Sequence, residues 1–320
     1  MTFRVLVTDE VALSGLTPLT GDDVFRVSSV DDSASDDFAL ELIAAHALIV
    51  RSATKVDRDL IDGAVDLRAI GRAGVGLDNV DVGAATERGV AVFNAPGGNT
   101  IAAAELTVGL MLSAARGIPA ADRSLREKRW KRTSFRGVEL KGRTLGLIGA
   151  GRIGGEVAIR CQAFGMDVVV YDPYLTQERA TELGVVLVEM DEVLARADFV
   201  SIHVPLNDET RGICGAEALS RMKTGAYVVN ASRGGVVDEV ALAKALHDGE
   251  IAGAALDVYE TEPLPDDSPL RDAPNLVLTP HLGASTVEAQ EGVATEVAEK
   301  IRVFLTSGDR SAAVNAADLG

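Results

Sequence analysis

Gly149-Ala150-Gly151-Arg152-Ile153-Gly154 follows the apolar run TLGLI and opens the helical stretch GGEVAIRCQAFG. Glycines at this spacing let backbone approach a pyrophosphate, whose charge is met by the free N–H groups of the helix start. The next apolar run, DVVVYDP, ends in Asp172, eighteen residues beyond Gly154. A carboxylate there accepts hydrogen bonds from the ribose hydroxyls of a dinucleotide. It would repel a 2'-phosphate, and Pro173 and Tyr174 bring no compensating Arg, so the pattern favours NAD over NADP. A second cluster, Gly71-Arg72-Ala73-Gly74-Val75-Gly76, lacks the third glycine and runs into LDNVD. It reads as a loop whose amides reach a small anion, or as a plain turn, and not as a second dinucleotide site.

Hydride transfer to or from a nicotinamide needs a group that exchanges the hydroxyl proton and a cation that holds the carboxylate and polarises the carbonyl. Of the four histidines, His46 and His247 fall in stretches that read as helical, and His203 ends a strand of the cofactor region. His281, in LTPHLGAS, stands at the end of the last apolar run. Arg233, in NASRGGVVDE, and Glu262, in DVYETEP, also lie just past strand ends, where open α/β sheets place their ligands. Singly, each could be a satisfied structural residue. Three polar groups at successive strand ends point to one site.

These residues need a scaffold that brings distant segments to one edge. Short β-branched runs alternate with Ala-rich helical stretches along the 320 residues, the pattern of parallel sheets covered by helices. The fold class is therefore α/β. Strands are expected at FRVLVTD, HALIVRSA, LRAIGRAG and VAVFNAP, with helices over 35–45 and 80–88, enough for a small flavodoxin-like sheet. Seven more, from TLGLIGAG to NLVLTPH, form a larger, Rossmann-type doubly wound sheet. Residues 99–115 are apolar on nearly every face and read as a helix buried all round. Residues 285–306 carry Val293, Val297, Ile301 and Leu305 at helical spacing with no strand after them. Returning that helix to the first sheet gives a discontinuous substrate-binding domain, 1–96 with 285–320, around an NAD-binding domain, 97–284, with a cleft between the two sheets.

The balance of 31 Lys and Arg against 48 Asp and Glu, a net charge of −17, argues against nucleic-acid or anionic-membrane partners. An anionic substrate must then be drawn in by local Arg. Cys161 and Cys214 have neither disulfide nor metal-ligand spacing and read as buried thiols. The start MTFRVLVTDE enters a strand at once, with no basic leader and no span-length apolar segment, so a cytoplasmic protein is expected.

NASRGG, the acidic ETEP stretch and TPHLGAST together resemble the signatures of the D-isomer-specific 2-hydroxyacid dehydrogenase family, and the resemblance extends over essentially the whole chain. It implies His281 as general acid/base, Glu262 as the group that favours its protonated form and fixes its orientation, and Arg233 as the clamp on carboxylate and carbonyl oxygen. Carried over residue by residue, Gly149, Gly151, Arg152, Ile153, Gly154, Asp172, Pro205, Ala231, Asp257 and Gly283 would line the NAD, with Asp257 near the nicotinamide amide. The amides of Gly74, Val75 and Gly76 would hold the substrate carboxylate. IVRSATKV, GRAGVGLDNVD and FNAPGGNTIAAAELT point, within the family, to a phosphorylated 2-hydroxy acid, 3-phosphoglycerate first. Arg51, Arg72 and Arg132 would bind the phosphate, Arg132 from the partner of a homodimer. No metal is implied. The alternatives are a glyoxylate or hydroxypyruvate reductase of the same family, which needs no phosphate cluster, and an NAD-sensing corepressor-type binding protein. Longer relatives add C-terminal regulatory domains; with the chain ending at Gly320, serine feedback through such a domain is not expected.

Overall fold

The computed structural model describes residues 2–320, which divide into two compact units. The first runs up to Thr100 and resumes at Ala284–Gly320; the second is Ile101–Gly283.

The first unit is built on five parallel strands, β1 (Phe3–Val7), β2 (Phe25–Ser29), β3 (Ala47–Val50), β4 (Ala69–Arg72) and β5 (Ala91–Asn94), in the order β2-β1-β3-β4-β5. β3, Ala-Leu-Ile-Val, is buried at every residue, as a central strand covered on both faces must be. Helices start where Ser35, Asp57 and Asp81 accept a backbone N–H three residues on, giving the first turn a partner. The helix Val287–Ser307 packs Val293, Val297 and Ile301 into the same core as Val5, Ile49 and Phe93. Beyond it, the Val314 amide donates to the Val92 carbonyl at 2.8 Å, and the buried Asn315 side chain accepts from the Val92 amide and donates to the Val90 carbonyl, each at 2.9 Å.

The second unit carries seven parallel strands, β6 (Thr144–Ile148), β7 (Asp167–Tyr171), β8 (Val186–Leu187), β9 (Phe199–Ile202), β10 (Tyr227–Asn230), β11 (Gly253–Leu256) and β12 (Leu276–Leu278). Their order is β12-β11-β10-β9-β6-β7-β8. Chain direction across the sheet therefore reverses between β6 and β9, the topological switch at which doubly wound sheets bind ligands. Cys161 and Cys214 are free and buried, and burial pushes both thiols up to about 12. Among the described residues no single helix is long and apolar enough to cross a membrane.

Three expectations are corrected. The first sheet has a fifth strand, β2, whose polar Arg26, Ser28 and Ser29 hid it; an edge strand tolerates them because one side faces solvent. The helix Thr100–Arg116 is not buried all round, since Ile101, Glu105 and Gly109, four residues apart, form an exposed stripe. His46 is not helical; it precedes β3, accepts the Arg4 amide on Nδ1 and meets Phe3 edge-on.

Candidate active site

The glycine turn leaves β6 at the switch point. Gly149 has φ +88°, and a Cβ there would stand 2.6 Å from the His203 carbonyl oxygen. A Cβ on Gly154 would stand 2.4 Å from the Gly149 carbonyl oxygen. Both positions demand glycine because β6, the turn and the helix Arg152–Ala163 meet backbone to backbone. No side chain caps that helix at Gly151, so the first-turn amides are left for an anion. Asp172, just past β7, accepts from the Ala150 amide at 2.8 Å and from the Tyr174 amide at 2.9 Å. It braces the turn with one lone pair on each oxygen, which leaves acceptor capacity on both. Under the turn, His203 bonds Ser201 Oγ through Nε2 at 2.9 Å, while its buried Nδ1 has no protein partner. Burial pushes this imidazole down to about 4, so it is neutral at physiological pH. Nothing in the sequence around His203 marked it; only folding places it against the turn. A glycine cradle, an uncapped helix start, a carboxylate with free acceptor sites at the turn and an orphaned buried nitrogen fit a dinucleotide.

The remaining groups lie further along the same sheet edge. Asn230, 1% exposed, donates to the Arg233 carbonyl at 2.9 Å and accepts from the Ser232 amide and hydroxyl at 3.0 and 2.8 Å. The chain thus turns sharply after β10, with Ala231 buried and Arg233 half-buried. The Arg233 guanidinium also donates to the Ser232 carbonyl at 2.7 Å. Pro205 follows β9 in an exposed loop pinned by the Thr210 hydroxyl on its carbonyl, 2.6 Å away.

Asp257, fully buried after β11, gathers the His281 loop. Its carboxylate accepts from Thr279 Oγ1 at 2.6 Å, the Leu282 amide at 2.8 Å and the Gly283 amide at 2.9 Å. Its carbonyl accepts the His281 amide at 2.9 Å. His281 is thereby held at φ +54°, a left-handed conformation that costs a non-glycine residue energy and persists only under such restraint. Expected as a nicotinamide contact, Asp257 has three of its roughly four lone-pair sites turned on this loop.

His281 Nδ1 meets Glu262 Oε2 at 2.7 Å, and Glu262 Oε1 accepts the Tyr259 amide at 3.1 Å. With Nδ1–H on the carboxylate, Nε2 is the ring nitrogen that can exchange a proton. Burial opposes ionisation of Glu262, but the His281 hydrogen bond and charge, the Tyr259 amide and the Arg233 charge together hold its carboxyl below the usual range. The pair's contribution to stability is therefore full above the ordinary carboxylate pKa and is lost as pH falls through the lowered one.

In the first unit, Arg51 and Arg72 stand at the carboxyl ends of adjacent strands, β3 and β4. The Arg51 guanidinium donates to the Glu10 carbonyl at 3.0 Å. The Arg72 guanidinium lies against Gly74, which has φ +155°; a Cβ there would come within 1.6 Å of Nη1. Val75 offers its carbonyl to Asn94 Nδ2 at 2.7 Å, which sets the Gly74–Gly76 loop. Arg132 belongs to the second unit, exposed in the short 3-10 turn Arg132–Ser134.

Residues 108–283 match the model of the D-isomer specific 2-hydroxyacid dehydrogenase NAD-binding domain, and the chain belongs to this family. It is 51% identical over 311 residues to D-3-phosphoglycerate dehydrogenase of Mycobacterium tuberculosis (strain ATCC 25618 / H37Rv), covering 97% of this chain and 58% of that relative. The chain spans little more than half the length of the curated relatives it matches. Among solved structures, the TT0316 protein from Thermus thermophilus superposes with a TM-score of 0.87 at 36% identity, covering 98% of this chain and all of that one. The NAD-dependent formate dehydrogenase from Staphylococcus aureus, solved with NAD, gives 0.83 at 29% identity over 96% of this chain and 97% of its own.

NAD is thus the cofactor of the second unit, and the sequence expectation that Asp172 reads the ribose can be tested directly. Asp172→Ala is expected to shift the NADPH-to-NADH preference by about tenfold or more towards NADPH, because it removes the charge that repels a 2'-phosphate. Binding titrations with both cofactors check this; an unchanged ratio means that Asp172 does not read the ribose.

Proposed function

We propose that the chain interconverts D-3-phosphoglycerate and 3-phosphohydroxypyruvate with NAD, a reaction of serine biosynthesis. The observation that carries this reading is the 2.7 Å His281–Glu262 pair, on the sheet edge that also bears Arg233 and the dinucleotide turn. NAD, when bound, supplies the hydride acceptor for the hydroxyl-bearing carbon. His281 Nε2 takes the hydroxyl proton in oxidation and returns it in reduction; Glu262 stabilises the imidazolium. Arg233 holds the carboxylate and the developing carbonyl oxygen. Arg152, Ile153, Pro205, Ala231 and Gly283 contact the cofactor beside the turn glycines and Asp172, and the remaining lone pair of Asp257 serves the nicotinamide amide. In this reading the first unit binds substrate, the Gly74–Gly76 amides taking its carboxylate.

Arg51 and Arg72 on neighbouring strand ends support a phosphate site, with Arg132 joining from a partner subunit. A homodimer is further supported by the exposed Ile118 and Leu125, which line one surface depression with Ala121, an apolar surface that a second copy would cover. We place the enzyme in the cytoplasm. The deciding experiment follows NADH oxidation with 3-phosphohydroxypyruvate: turnover is expected, and NADH binding with no reduction of any 2-keto acid would leave a binding protein. Arg51→Ala is expected to raise KM for 3-phosphohydroxypyruvate about tenfold or more while changing that for glyoxylate little. Equal effects on both would remove the phosphate from the assignment.

A further inference from the structure

The turn that carries Glu262 leaves β11 without regular structure and is tied down side chain by side chain. At its buried end, the Tyr259 hydroxyl donates to the Thr279 carbonyl at 2.8 Å, two residues before His281. The Tyr259 backbone presses on Gly234, where a Cβ would stand only 1.7 Å from the Tyr259 carbonyl oxygen, so the Arg233 loop and the Glu262 turn are in backbone contact. At the solvent end, Glu260 and Thr261 are exposed. There the Glu260 amide donates to Glu239 Oε1 at 2.6 Å.

Glu239 opens the helix Glu239–Asp248, six residues past Arg233. Its neighbour Asp238 already caps that helix by accepting the Ala241 amide, so the Glu239 carboxylate is not needed for capping and is turned onto the other loop. Keeping it there is unfavourable. Burial comes first among the causes that push its carboxyl up, and the charges of Glu260, Asp238 and Glu262 add to it against the Glu260 amide bond. A half-buried acid set among three others is a poor choice for stability alone.

We propose that Glu239 is a positioning residue for the proton-transfer pair, fixing through the Glu260 amide the turn that holds Glu262 on His281. The inference rests on the assignment of Glu262 and His281 as that pair. It acts through reach: the side chain must bridge from the helix start to the turn and accept one hydrogen bond. Gln has the same length and an acceptor oxygen; Asp has the charge and lacks the reach.

The test compares Glu239→Gln, Glu239→Asp and Glu239→Ala in the intact chain. Steady-state kinetics with 3-phosphohydroxypyruvate and NADH are combined with NMR titration of the His281 imidazole. Expected are a kcat about ten- to a hundredfold lower in the Asp and Ala variants, NADH affinity within about twofold of the parent, and a displaced His281 titration. Glu239→Gln should restore both the rate and the titration. A Gln variant as impaired as Ala overturns the proposal, since the charge and not the bond would then matter. So does an Asp or Ala variant with unchanged kcat and titration. Should the parent chain reduce no 2-keto acid, the proposed function fails, while the His281 titrations of the folded variants still decide the role of Glu239. If Ala does not fold, the Asp and Gln pair decides.

Discussion

His281→Asn is expected to lower kcat for the proposed 3-phosphohydroxypyruvate reduction by about 10²- to 10⁴-fold, the contribution of a positioned general acid, and to leave NADH binding intact. Asparagine is the informative replacement because position 281 has φ +54°, a region that Asn tolerates and most side chains do not. The variant keeps the backbone geometry that Asp257 imposes and loses only the titratable nitrogen. His281→Ala at the same place would add backbone strain to the missing proton. Stopped-flow single turnovers separate the hydride step from product release, and the deficit belongs in the former. Turnover within a few-fold of the parent would mean that another group supplies the proton, and the reaction assigned to this site would have to be abandoned.

Arg233→Lys is expected to cost about 10²-fold in kcat/KM, although the charge is kept. A guanidinium presents a planar fork that meets a carboxylate with two parallel bonds, whereas an ammonium is a single hydrated point charge on a flexible stem. Around Arg233 everything favours the fork: the Asn230 side chain fixes the main chain, and the Ser232 carbonyl takes one donor of the guanidinium, restricting its rotation. The three donors of a lysine ammonium rotate about one nitrogen and offer substrate no fixed planar pair. The comparison is made across 2-keto acids with and without a phosphate, since loss of the carboxylate clamp should affect both alike. A Lys variant within about threefold of the parent would reduce Arg233 to a general source of positive potential.

The parts of this molecule legible in the sequence are those whose physics is local. The glycine turn could be read because its backbone requirement repeats within six residues, and Asp172 because the next strand must end near it. The strands of the second sheet announced themselves as apolar runs, the central β6, β9, β10 and β11 because they are buried almost throughout. β2 did not, because an edge strand with Arg26 and two serines looks like loop. His281, Glu262 and Arg233 could be proposed as strand-end residues, yet their neighbours' work is invisible until the chain is folded. Nothing in the composition shows that Asp257 collects four hydrogen bonds from residues 279–283, or that Glu239 reaches Glu260 across 21 positions. Such bonds join a side chain to a backbone group of unremarkable type, and no residue pattern encodes the partner.

The carboxamide of Asn315 stands beside β5 where the peptide group of another strand would stand, taking the Val92 amide and serving the Val90 carbonyl. An outermost strand with vacant hydrogen-bonding groups is a template for foreign chains, and crowding makes such encounters frequent. Here the Asn315 side chain and the Val314 amide occupy the vacancy, so the small sheet is guarded against stacking along that border without a further strand being folded.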